Sequence, residues 1–160
     1  MHVFSGTPQD MMEAILRDLR EANGATPRPE AHFARALSSL VGLYDRQAEV
    51  GPVPPGELAH FRRESGDAFA ALGAAVPNYV VATSLHAETP DDDALYDLAI
   101  RRSAIQSLID DYDGTAAEGL VNPDDVAELD EDLRRVVDDQ GPLPEAVVPH
   151  GLPEHHWWWR

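Results

Sequence analysis

Residues 89–114 read TPDDDALYDLAIRRSAIQSLIDDYDG, and this stretch decides the fold class. Leu95, Leu98, Ala99, Ile105, Leu108, Ile109 and Tyr112 recur at steps of three and four. That spacing stacks them on one side of an α-helix, where a strand would alternate. Thr89 suits an N-cap and Pro90 the first helical position. Asp91, Asp92 and Asp93 would then fill the first turn, where negative charge suits the helix dipole. Asp113-Gly114 supplies turn chemistry at the other end.

The next segment, NPDDVAELDEDLRRVVDDQG (122–141), repeats the recipe, with Asn122 as cap, Pro123 behind it and Val126, Leu129, Leu133, Val136 and Val137 facing inward. The short connection between the two predicts antiparallel neighbours. Upstream, TPQDMMEAILRDLREANG (7–24) opens on Thr7-Pro8, carries Met12, Ile15, Leu16, Leu19 and Ala22 on one face, and closes on Asn23-Gly24. A second helix over 28–51 shows Phe33, Ala36, Leu37, Leu40, Leu43 and Tyr44; a third over 54–77 shows Leu58, Phe61, Ala68, Phe69 and Leu72. Gly66 in mid-helix costs about 1 kcal/mol against alanine and signals a close contact or a break. NYVVATSLHA (78–87) has strand-forming valines but no second strand to pair with, so a short helix after Pro77 is expected. The expectation is one all-α bundle of four to six helices over residues 1–141. Beyond Gly141, four prolines in 142–160 forbid further helix and predict an extended, Pro-rich and Trp-rich tail.

Composition narrows the chemistry. The chain has 160 residues, 43% of them apolar, enough for one domain with a real core. Cysteine is absent, which excludes disulfides, thiolate metal sites and a cysteine nucleophile. Every basic side chain is arginine, so Schiff-base and P-loop lysine chemistry are excluded too. Arginine without lysine, beside much Ala, Asp and Pro, matches the coding bias of a GC-rich bacterial genome. MHVFSGTPQD has no basic start and no apolar run, and no stretch approaches the ~20 apolar residues of a membrane span, so a soluble cytoplasmic protein is expected.

The net charge of −17 is uneven. Residues 1–87 carry 10 acids and 7 arginines, residues 88–140 carry 17 and 4, and residues 141–160 carry 2 and 1. Such a surface disfavours direct nucleic-acid binding and steers basic partners inward. The aspartates Asp92, Asp93, Asp97, Asp110, Asp111 and Asp113 resemble the paired carboxylates of an all-helical, metal-dependent diphosphate hydrolase, but DDxxD spacing is missing. His32, His60 and His86 fall one per helical segment without a second ligand at helical spacing. No GxSxG, glycine-rich phosphate loop or HExxH occurs. A non-catalytic protein without metal or cofactor is expected.

The C-terminal PHGLPEHHWWWR (149–160) holds His155, His156, Trp157, Trp158, Trp159 and Arg160, the candidate binding residues. Each indole has ~150–250 Å² to bury and one N–H to satisfy. These six residues therefore plug their own bundle or insert into a partner. A mixed state is expected, with one indole anchored at home and the others offered outward. The GLPEHHWWWR end on a short acidic helical chain resembles small companion proteins of bacterial conflict systems, those with caspase-like or trypsin-like peptidases and signalling ATPases. The resemblance implies an adaptor or regulatory subunit whose protein partner is such a peptidase or ATPase. Other readings are an acidic immunity or inhibitor protein, and a leader-bearing precursor of a modified peptide.

Overall fold

The computed structural model describes residues 4–160, and within them the chain is all-helical. Six α-helices follow in order: α1 (Pro8–Ala22), α2 (Pro29–Glu49), α3 (Pro55–Ala71), α4 (Ala75–Glu88), α5 (Leu95–Asp111) and α6 (Pro123–Gln140). Two short 3-10 turns, Glu145–Val147 and Trp157–Trp159, interrupt the segment after α6, which is therefore not uniformly extended. No single helix among the described residues is long and apolar enough to cross a membrane.

Local signals explain most boundaries. Thr7 caps α1 in a reciprocal box: its hydroxyl accepts from the Asp10 N–H at 3.1 Å, and its own N–H donates to the Asp10 carboxylate at 3.0 Å. Asn122 caps α6 by accepting from the Asp124 N–H at 2.9 Å, with Pro123 in the first position. Proline also opens α2 and α3.

Two boundaries differ from expectation. The helix around 78–87 starts earlier, at Ala75, and takes Pro77 into its first turn, where no backbone N–H is needed. Thr89 does not cap α5. It ends α4, donating from its hydroxyl to the Leu85 carbonyl at 3.4 Å, and α5 begins only at Leu95. The α5 start is served from a distance instead. The Gln140 side chain accepts from the Leu95 N–H at 2.9 Å and donates to the Asp91 carbonyl at 2.6 Å. One amide at the end of α6 thus closes the open start of α5.

α1 and α2 form an antiparallel hairpin with the most extensive helix–helix contact of the fold. Asp18, buried at the seam, holds His32 at 3.1 Å and Arg35 at 3.3 Å. α5 lies at the centre and touches α2, α4, α6 and the final turn. Leu98, Ile105, Leu108, Leu129, Leu133 and Val136 are buried as expected. The expected α5–α6 pair is corrected in one respect: α6 lies more extensively against α4 than against α5. Burial on α5 also exceeds its predicted stripe. Ile100, Arg102, Ser103, Ala104 and Ser107 are inside as well, while Ile109 faces out at 39% exposure.

Gly66 marks a close contact. A methyl group there would stand 2.8 Å from Cβ and Oγ1 of Thr115, in the loop after α5. Thr115 is fixed, because its hydroxyl donates to the Tyr112 carbonyl at 2.7 Å. Beside it Ser65 donates to the Phe61 carbonyl at 2.7 Å, so the Tyr112 hydroxyl is the donor in the 2.8 Å bond to Ser65.

Gly66→Ala should therefore lower thermal stability by about 1–3 kcal/mol despite alanine's better helix propensity. Gly56→Ala in the same helix has open space around it and should be neutral or stabilising. Paired melting curves check the difference in sign.

Candidate functional site

The segment after α6 folds back along α2 and α5. Its first fixed point is at α2, where the His150 N–H donates to the buried Asp45 carboxylate at 2.9 Å. Gly151 follows in the left-handed region, φ +72, and a side chain there would meet the Tyr44 carbonyl at 2.8 Å and Ala48 Cβ at 2.9 Å. Only glycine fits both demands. The chain then reaches α5 with the six candidate residues.

Trp158 and Trp159 are buried, at 1% and 3% exposure, and His156 is buried at 1%. All three turn to one atom, the hydroxyl oxygen of Ser103 in mid-α5. The indole N–H groups of Trp158 and Trp159 each donate to it at 2.9 Å, and His156 Nδ1 lies 3.0 Å away. A serine oxygen has two lone pairs and one proton. Two indoles occupy the lone pairs, so the proton goes to His156 Nδ1. The imidazole is then the Nε2–H tautomer, and Nε2 is buried without a partner.

Ring contacts enclose this centre. His156 stacks on Trp158 with centroids 4.8 Å apart, and Tyr44 meets it edge-on at 6.2 Å. Tyr96 meets Trp159 edge-on at 5.9 Å. The guanidinium of buried Arg102 lies 4.4 Å over the Trp158 ring while forking onto Asp130 of α6, at 2.7 and 3.2 Å. Burial, together with the neighbouring His155, pulls the His156 pKa down to about 4, with Asp110 opposing. The Tyr44 hydroxyl donates to Asp111, and burial followed by that carboxylate pushes its pKa well above the usual phenol value.

The other candidates lie outward. Trp157 is half-buried beneath the Arg134 guanidinium, 4.4 Å from its ring. His155 is exposed and donates from Nε2 to Asp110 Oδ2 at 2.6 Å. Arg160 is exposed and donates to the Glu154 carbonyl at 3.0 Å. The expected mixed state is thus shifted: two indoles are anchored in the chain's own bundle and one is shared with the surface.

The six aspartates considered for metal-dependent chemistry do not converge. Asp92 and Asp93 precede α5 and Asp97 lies in its first turn, whereas Asp110 and Asp111 close the helix and Asp113 follows it. At 1.5 Å per residue the two groups are about 20 Å or more apart. Asp111 is engaged by Tyr44 and Ser107, with Arg62 nearby at 3.7 Å.

Ser103 and Arg102 are the residues that sequence reasoning passed over. Their signal was a polar pair flanked by apolar residues in α5, in a chain whose indole N–H groups needed acceptors. No family model, curated protein or solved structure matches the chain.

Ser103→Ala should cost roughly 2–5 kcal/mol, since it strands two buried indole N–H groups at once. Ser107→Ala, which removes one 3.2 Å bond to Asp111, should cost about 1 kcal/mol. Denaturant unfolding followed by tryptophan emission separates the two.

Acid should loosen the tail through His156. Its folded pKa lies below the unfolded value of about 6.5, so the unfolded state binds the proton first. The stabilisation is complete above pH ~6.5 and is lost as pH falls toward 4. A His156→Asn protein, whose amide oxygen can replace Nδ1 as acceptor, should show a smaller loss over this window in melting curves.

Proposed function

We propose that the chain is a non-catalytic adaptor or regulatory subunit of a bacterial complex, and that it holds a protein partner at a groove beside α4. One observation carries this reading. An open apolar cleft of about 740 Å³ runs between the start of α2, the α3–α4 corner and α4, lined by Ala31, Phe33, Ala34, Leu72, Ala75 and Ala82. On the same side of α4, Val81 and Leu85 are 49% and 59% exposed. Asn78, Val81, Ala82 and Leu85 follow helical spacing, so cleft and exposed residues form one continuous surface. A groove flanked by exposed aliphatic residues suits the apolar stripe of an amphipathic helix.

Charge selects the kind of helix. The chain carries −17, concentrated in residues 88–140, and a partner with basic flanks is drawn to it. The GLPEHHWWWR resemblance supports placing that partner among the peptidases or ATPases of a conflict system. In this reading the tail serves the partner indirectly. Its buried indoles brace the bundle, and of its six candidate residues His155, Arg160 and one side of Trp157 are left at the surface.

The test is a complex rebuilt from purified components, after a stoichiometric partner has been captured and identified by mass spectrometry. Val81→Asp with Leu85→Asp should abolish binding while the melting temperature stays near that of the parent. A complex untouched by this double change but dissolved by moderate salt would sink the groove reading in favour of an acidic inhibitor surface.

A further inference from the structure

We propose that Asp110, His155 and His156 form a zinc-class cation site that fastens the C-terminal segment to α5. This goes beyond the adaptor reading and does not depend on it. One ligand-type atom from each of the three residues lies within 4.8 Å of the others. Two imidazoles and a carboxylate are the donor set of a borderline-soft divalent ion, with a fourth position left for water.

Clustering alone would prove little, and the second observation is His156 itself. The ring is 1% exposed, its Nδ1 is committed to Ser103, and its Nε2 has no hydrogen-bond partner. An orphaned buried ring nitrogen costs folding free energy unless something uses it. Ser103 and Asp110 stand seven residues apart on α5, about 10 Å of helix rise. Nδ1 of the ring is held at Ser103, so Nε2 is the ring nitrogen free to join His155 and Asp110. There Nε2 of His155 and Oδ2 of Asp110 already face each other at 2.6 Å.

The proton accounting is closed. His155 moves the Nε2 proton it shares with Asp110 to Nδ1, which frees its Nε2 for the ion. His156 moves its proton from Nε2 to Nδ1. That N–H then donates to Ser103, whose hydroxyl turns its own proton to the carbonyl one helical turn back, a bond open to any helical serine. Three N–H groups now compete for two lone pairs, and one indole must yield. Ion binding is therefore felt at Trp158 or Trp159, which gives a readout specific to His156. A ligand histidine steadied through its other nitrogen is the usual arrangement around zinc. The neighbouring Asp111 and Asp113 add negative charge that favours cation entry.

The test uses the full chain, stripped with chelator and titrated calorimetrically with Zn²⁺, with Co²⁺ as a spectroscopic substitute. The expected result is one ion per chain, a tetrahedral Co²⁺ absorption band, a raised melting temperature and a change in tryptophan emission. His155→Ala and Asp110→Asn, both changes at exposed positions, should each weaken binding by roughly tenfold or more. His150→Ala should leave binding intact, although His150 contacts Glu49 and lies 3.6 Å from Asp45. The proposal fails if no stoichiometric Zn²⁺ is taken up. It fails equally if uptake survives His155→Ala, if His150→Ala removes it, or if it leaves tryptophan emission unchanged.

Discussion

A helix buried over most of its surface cannot leave its inward polar groups to water, and this constraint on α5 organises the molecule. α5 carries Arg102, Ser103 and Ser107 into the interior. Each has to be met by another side chain. Arg102 is met by Asp130 of α6, Ser107 by Asp111 one turn on, and Ser103 by two tryptophans and a histidine some 53 to 56 residues downstream. The uncapped start of α5 is met by Gln140. α6 and the tail are thus held by the needs of α5 as much as by apolar contact.

The tryptophan cluster has its explanation in the same place. Two indoles removed from water at ~25 cal/mol per Å² contribute several kcal/mol, comparable with the whole net stability of a domain. Their N–H groups would cancel part of that gain if stranded, and Ser103 prevents it. Arg102 adds a cation over the Trp158 ring from the side opposite in role: it is itself neutralised by Asp130, so the indole gains a polar neighbour without a bare buried charge. An end that looked built for a partner is first of all an internal brace.

That brace relocates the question of function. With the indoles inward, Val81 and Leu85 of α4 remain as exposed aliphatic neighbours on one helix, and His155 and Asp110 remain exposed at the end of α5. The groove reading and the cation reading use these two regions separately.

Periodicity, capping residues and proline positions were enough to expect an all-α chain of four to six helices and the end of α6 at Gly141, because those signals act within a few residues of chain. Thr7 and Asn122 behave as their neighbours dictate. Thr89 does not, because Gln140, distant in sequence, serves the start of α5 and frees Thr89 to end α4. The three tryptophans were legible as side chains that had to be buried somewhere, since three adjacent indoles admit little else. Their acceptor was not legible. Ser103 is one hydroxyl outside the predicted apolar stripe, and nothing in its sequence neighbours tells it apart from Ser107. Which polar atom meets which, whether the indoles turn inward or outward, and that His156 approaches Asp110 are decided by contacts across more than 40 residues. Those follow from three-dimensional packing, where the cost of an unpaired buried group selects one arrangement among many that the local pattern permits.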